Sequence, residues 1–258
     1  MAMDAIKAPQ GKPLGINPMF RFGAGVVVPI LRWLTIRTWR GGENIPPQSR
    51  VIVVCNHFTY LDPLVFAHFI FGNGRTPRFL IKRQLFDVPV LGIILRKADQ
   101  IRVERESDGA AQALHAAVQY LQAGHCLGMY PEGTLTRDEN YWPMIAKTGV
   151  ARLAVMTQTP IVPVAQWGAQ VALPRYSKRL TFWKRTPVTV VAGKPFTLER
   201  WYGREDDQAA MVEATGYVME RITEILEEIR GEKAPEVKFD PRSSNLPRTG
   251  NFMKKNRG

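Results

Sequence analysis

Two short segments hold residue types at spacings that suit acid–base chemistry. In the first, VIVVCNHFTYLDP, His57 stands two residues beyond an apolar run and Asp62 follows at i+5. A turn between them would fold the Asp62 carboxylate onto one ring nitrogen of His57. That contact would fix the tautomer and support the imidazolium formed when the other nitrogen takes a proton. A hydroxyl is a poor nucleophile near neutrality, and a positioned base of this kind raises its reactivity by about 10²–10⁴. With 4 His and 23 acidic residues in the chain, a His-x4-acid pair also arises readily by chance. The alternative is an aspartate that only caps a helix opened by Pro63.

The second segment is YPEGTLTRD, where Glu132, Gly133 and Thr134 offer a carboxylate, a backbone that a ligand can approach, and a hydroxyl, with Arg137 close behind. Taken alone it reads equally as an ordinary strand-to-loop turn. Cys55 lies two residues before His57, and on an extended segment both would face one side. That makes Cys55 a candidate nucleophile, set against the more usual buried, inert thiol. His68, His115 and His125 have no carboxylate or cysteine at ligand spacing, so no metal site is expected.

These segments need elements to position them. Strands are predicted at 51–55, 78–81, 100–103, 126–130, 161–166 and 188–192, and helices at 63–71, 88–96, 108–123, 147–157 and 208–229. The third helix has clear limits, with Ser107 as its N-cap and Gly124 as its stop. Alternation of this kind predicts a single α/β domain with a mostly parallel central sheet flanked by helices. In such sheets, catalytic groups gather where strands end at their carboxyl edge. Both candidate segments follow a predicted strand.

The 258 residues are enough for such a core, and 45% hydrophobic with 22% charged residues excludes a fibrous or disordered chain. The charge of +12 favours polyanionic partners: nucleic acid, anionic lipid or phosphorylated ligands. No nucleic-acid module is recognisable among the cations, so nucleic acid is not expected as a partner. Cys55 and Cys126 lack a CxxC spacing, which argues against a disulfide or zinc scaffold and for a reducing compartment. Neither a signal peptide nor an apolar run of about 18 residues is found, so no spanning helix is expected.

Residues 1–42 carry six basic residues and one acidic, for +5, and an apolar stretch from Phe22 to Leu31 lies between arginines and tryptophans. This is expected to be a basic, amphipathic segment lying in a membrane interface, kinked or split at Pro29. A helix packed against the core is the alternative. The domain is expected over 43–230. The tail over 231–258, with seven Lys/Arg and three Asp/Glu for +4, is expected to be poorly ordered.

Four blocks in order, NHFTYLD, FLIKRQLFDVPVLGIILRKADQIRVER, YPEGTLTRD followed by AKTGVARLA, and IVPV, give the chain its resemblance to a known family. From about Gly42 to Gly193 it resembles the glycerolipid acyltransferases that include 1-acylglycerol-3-phosphate (lysophosphatidic acid) acyltransferase. The resemblance implies His57 as base, Asp62 as its partner, and Lys82 and Arg105 facing a phosphate-bearing acceptor. It also implies that Glu132, Gly133, Thr134 and Arg137 line the substrate site. It implies acyl-coenzyme A or acyl carrier protein as co-substrate, a lysophospholipid acceptor and no cofactor. With the basic N-terminal segment, it places the chain peripherally on an anionic membrane, at the cytoplasmic face of the cell membrane. One position departs from the pattern: the arginine that directly follows EGT in the family is Leu135 here. Glycerol 3-phosphate, a mannosylated inositol lipid or an amino lipid therefore stay open as acceptors.

Overall fold

The computed structural model describes residues 15–103, 107–177, 179–181, 183–243 and 251. Strands β1 (Thr35–Arg40), β2 (Val51–Cys55), β3 (Pro77–Lys82), β4 (Ile101–Val103), β5 (Cys126–Met129), β6 (Ile161–Trp167) and β7 (Thr186–Ala192) form one sheet in the order β1-β7-β6-β2-β5-β3-β4. Every neighbouring pair is parallel except β6–β7. The fold is thus the expected single α/β domain around a mostly parallel sheet.

Central position explains the sequence of β2. Val51, Ile52, Val53, Val54 and Cys55 are all fully buried, as a strand covered on both faces requires. Alternation sends Val51, Val53 and Cys55 to one face and Ile52 and Val54 to the other, into two separate hydrophobic clusters. The first cluster holds residues of α1 (Pro18–Leu34), α2 (Asp62–Gly72) and α7 (Ala169–Ala172). The second holds residues of α5 (Ser107–Gln122), α6 (Gly149–Thr157) and α8 (Gln208–Arg230). Short helices α3 (Arg83–Phe86) and α4 (Leu91–Lys97) follow β3.

Three expectations need correction. Residues 35–40 are not part of an interfacial helix: they form β1, which pairs with β7 from Thr35↔Thr186 to Arg40↔Val191. Thr35, Ile36, Thr38 and Trp39 suit a strand, and the arginines suit an edge. The boundary expected at 42 therefore falls inside the domain. There, Gly41 adopts φ +70, and a Cβ would lie 1.9 Å from the Ala192 carbonyl oxygen, so only glycine fits. Second, of the kink or split expected at Pro29, the split does not occur: α1 is one helix running through that residue. Third, the tail is tied down over its first part: the Ile145 N–H donates to the Phe239 carbonyl at 2.9 Å, and Ala234 packs beside Trp142 and Leu226. No helix among the described residues is long and apolar enough to cross a membrane.

Candidate active site

Strand order builds the site. β2 and β5 are parallel neighbours with Val54 opposite Met129, so extending both chains by three residues sets His57 opposite Glu132. The contact follows: the His57 N–H donates to Glu132 Oε1 at 3.0 Å, and Met144 N–H donates to Oε2 at 3.2 Å. The Thr136 N–H returns a bond to the His57 carbonyl at 2.7 Å. The two segments singled out in the sequence are thus one hydrogen-bonded unit at the carboxyl edge of the sheet.

Within it, His57 Nδ1 lies 3.0 Å from Asp62 Oδ2. The same oxygen accepts the N–H groups of Phe58 (2.6 Å) and Thr59 (2.8 Å), so the turn itself grips the carboxylate. Asp62 is not the N-cap. Leu61 holds that place, with Asp62 and Pro63 as the first two helical residues of α2, so its side chain folds back to the preceding turn. Asp62 is wholly buried, while the His57 side chain keeps 15% of its surface exposed. The imidazole stacks on Tyr130, with centroids 4.1 Å apart and planes at 20°. No protein group among the described residues bonds Nε2, which leaves that nitrogen for a substrate proton.

Burial shapes the charges. It pushes the Asp62 carboxyl up, against the pull of the His57 contact and of the Thr59 and Phe58 N–H groups. It pushes Glu132 up to about 8, against the Met144 and His57 N–H donors and with the Asp62 charge adding to the push. Cys55 is fully buried and its thiol is held well above the usual range, first by burial and then by the Asp62 and Glu132 charges. A thiol in that state is not a nucleophile, which disposes of the Cys55 alternative.

The remaining expected residues are placed unevenly. Gly133 is exposed with φ +67, and a Cβ there would meet Lys147 Cδ at 3.3 Å and Nζ at 3.6 Å, so the Lys147 ammonium borders this turn. Thr134 is half-buried beside it. Lys82 ends β3 and is half-buried. Arg105 lies outside the described residues. Arg137, expected to face the acceptor, is only 1% exposed, and its charge acts on the neighbouring Tyr176 phenol. It is buried together with Leu135 and Thr136. Among the described residues no group of three or more His, Cys, Asp or Glu is placed to hold a metal ion.

Sequence reasoning missed several supports. Asn56 joins the ends of β2 and β6 through its amide: Nδ2 donates to the Gln166 carbonyl at 3.1 Å, and the Gln166 N–H donates to Oδ1 at 2.9 Å. Arg175 donates from Nη1 to the carbonyls of Thr136 (2.8 Å) and Asp138 (2.7 Å). Only the adjacency of Asn56 to His57 signalled the first; nothing local signals the second, which acts across 39 residues.

A family model described as Acyltransferase matches residues 37–167, about half of the chain, and contains both loops of the site. The chain belongs to the acyltransferase family. It is similar to a 1-acyl-sn-glycerol-3-phosphate acyltransferase of Borreliella burgdorferi, 34% identical over 125 residues, covering 48% of each chain. One from Bacillus subtilis is 27% identical over 186 residues, covering 69% of this chain and 82% of the relative. The match thus spans about half the length of the first relative and most of the second. Among solved structures, the 1-acyl-sn-glycerophosphate acyltransferase of Thermotoga maritima superposes with a TM-score of 0.63 at 24% identity, over 84% of this chain and 81% of that one. This likeness concerns the fold.

Proposed function

We propose that this member of the acyltransferase family moves a fatty acyl group from acyl-coenzyme A or acyl carrier protein onto the hydroxyl of a lysophosphatidate-type acceptor. The observation that carries the reading is the Asp62–His57 contact with Nε2 left open, clamped to the EGT turn through Glu132. His57 Nε2 takes the hydroxyl proton as the oxygen forms its new C–O bond at the thioester carbonyl. The intermediate collapses with cleavage of the C–S bond, and the proton passes from His57 to the departing thiolate. Asp62 supports the imidazolium between these steps.

Glu132 holds the turn rather than the proton. Lys82 and Lys147, together with Arg105 as the resemblance implies, supply the positive charge a phosphomonoester requires. Arg137, buried beside the same loop, is the further cation that the resemblance implies. The exposed apolar face of α1 and its arginines support a peripheral position on an anionic membrane, at the cytoplasmic face. The names of the relatives favour lysophosphatidate among the acceptors.

The test is thiol release from one acyl-coenzyme A with a panel of lysolipids, glycerol 3-phosphate and buffer alone, with mass analysis of products. Release that depends on lysophosphatidate and yields its diacyl product supports the reading. Release indifferent to any acceptor would mean hydrolysis instead. His57→Ala should abolish release without lowering the melting temperature; an active His57→Ala protein would refute the base assignment.

A further inference from the structure

The stretch between α7 and β7 joins the active site to the end of α1. At its start, the Leu173 carbonyl accepts Thr59 Oγ1 at 2.5 Å, and Arg175 binds the EGT loop as described. At its end, Arg185 Nη2 donates to the carbonyls of Arg32 (3.1 Å), in the last turn of α1, and of Thr35 (2.8 Å), which caps that helix. A cation suits that position because it faces the negative end of the helix. It also gathers three guanidinium groups, since Arg37 follows two residues after Thr35. Burial and then the charges of Arg32 and Arg185 all press the Arg37 charge in the same direction. None of the three meets a carboxylate among the described residues.

Such crowding is unfavourable without an anion. Residues 140–198 contain eight Lys/Arg and no Asp or Glu, and residues 5–42 likewise contain no acid. The cluster is bordered by exposed apolar groups: Trp33 at 61%, Ile36 at 50% and Trp183 at 85% exposure. Free phosphate would have no use for these rings and branched chains, and a nucleic acid could stack bases on the rings but would gain nothing from Ile36. A bilayer accounts for both, with phosphate at the depth of the arginines and Trp rings in the interface.

We propose that the described residues of the stretch from Leu173 to Arg185 form a second lipid-contacting element beside α1, and that Arg32, Arg37 and Arg185 seat the phosphate of an anionic phospholipid headgroup. The proposal rests on the reading of the chain as a membrane-surface acyltransferase, and adds where and how it recognises lipid charge. Because this element starts at the EGT loop, lipid contact there fixes the mouth of the site against the membrane.

The test is co-sedimentation of the full chain with phosphatidylcholine vesicles, with and without phosphatidylglycerol. Arg185 is left alone because it caps a helix. The pair Arg32→Gln/Arg37→Gln should lower partition onto the anionic vesicles about 25-fold, or about fivefold per arginine, while leaving the neutral vesicles unaffected. Arg37→Lys should retain most of the binding, and Trp183→Ala should weaken both vesicle types. Melting temperatures check that each variant is folded. Anionic-vesicle binding by the double variant equal to that of the parent overturns the headgroup seat while leaving the membrane reading intact. Equal loss of binding to a DNA duplex and to anionic vesicles shows a generic polyanion patch and overturns it as well. Absence of parent binding to any vesicle sinks the membrane reading and this proposal with it.

Discussion

Asp62 Oδ2 accepts three donors while Oδ1 is buried with no hydrogen-bond partner. All of the carboxylate's hydrogen bonding is thus directed at the histidine and its turn. Asp62→Asn presents either an oxygen or an NH₂ to that position. With the oxygen kept on the two backbone N–H groups, the His57 contact survives but without charge to support an imidazolium. Thiol release should fall by about 10²–10⁴ with little loss of stability. Retention of full activity would show that the aspartate only holds the turn. Glu132 allows a different test, through pH. Its carboxyl sits at about 8 in the fold against an ordinary 4.5, so between those values the folded chain holds a proton that the unfolded chain releases. Its contribution to stability is therefore full below about pH 4.5 and is lost as pH rises through 8. Denaturant midpoints measured from pH 5 to 9 should fall for the parent, and fall less steeply for Glu132→Gln, which cannot titrate. Identical slopes would show Glu132 to be ionised throughout.

At the scale of elements, the EGT loop is held from outside by the end of α8. The Arg230 guanidinium lies 3.9 Å from the Trp142 ring centroid and 4.2 Å from that of Trp167, and its Nη1 donates to the Asn140 carbonyl at 2.8 Å. Trp142 in turn accepts Thr136 Oγ1 at 2.7 Å, and Thr136 bonds the His57 carbonyl. Two desolvated cation–π contacts and a hydrogen bond are together worth about 2–4 kcal/mol. Arg230→Ala should lower unfolding free energy by about that amount, and Arg230→Lys by less, because an ammonium cannot lie flat between two rings. A midpoint unchanged in Arg230→Ala would remove this role. None of this was legible beforehand: Trp142, Trp167 and Arg230 are far apart in sequence, and each alone is an unremarkable residue. Six of the seven strands were legible, the five interior ones because buried strands write themselves as apolar runs such as VIVVC. β1 was not, since an edge strand with four polar or charged residues around Ile36 and Trp39 mimics the continuation of a basic helix. His57 and Asp62 could be paired from local turn chemistry, whereas the meeting of His57 with Glu132 depends on β2 lying beside β5. Strand order is decided by packing across the whole sheet, and the sequence carries it only through the resemblance of the blocks.

At the scale of the molecule, α1 has two faces with different partners. Leu31 and Leu34 are buried in the core, and Phe20 packs on Phe71 at 5.5 Å between centroids. The N-terminus is fixed by Asn17, whose Oδ1 accepts the Phe20 N–H at 2.8 Å and whose Nδ2 donates to Asp99 at 2.6 Å. Opposite, Phe22, Val26, Ile30 and Trp33 recur at spacings of four, four and three, and stand 47–64% exposed, which forms one apolar stripe. The core-helix alternative is therefore realised on one side of this element, while the other side keeps the exposed stripe on which the interfacial reading rests. Exposed Val90 and Ile93 on the α3–α4 segment, which packs against α1, widen the apolar surface. If this surface meets lipid, removing two of its side chains should cost binding without touching the chemistry. Burying the exposed half of Val26 and Ile30 is worth about 1 kcal/mol each, so Val26→Ser/Ile30→Ser should weaken partition onto neutral vesicles about 30-fold. The apparent KM for a vesicle-borne acceptor should rise correspondingly, while kcat at saturating vesicle concentration stays as in the parent. A fall in kcat with unchanged partition would instead assign the stripe to the path of the acyl chain, and would move α1 from membrane anchor to substrate wall.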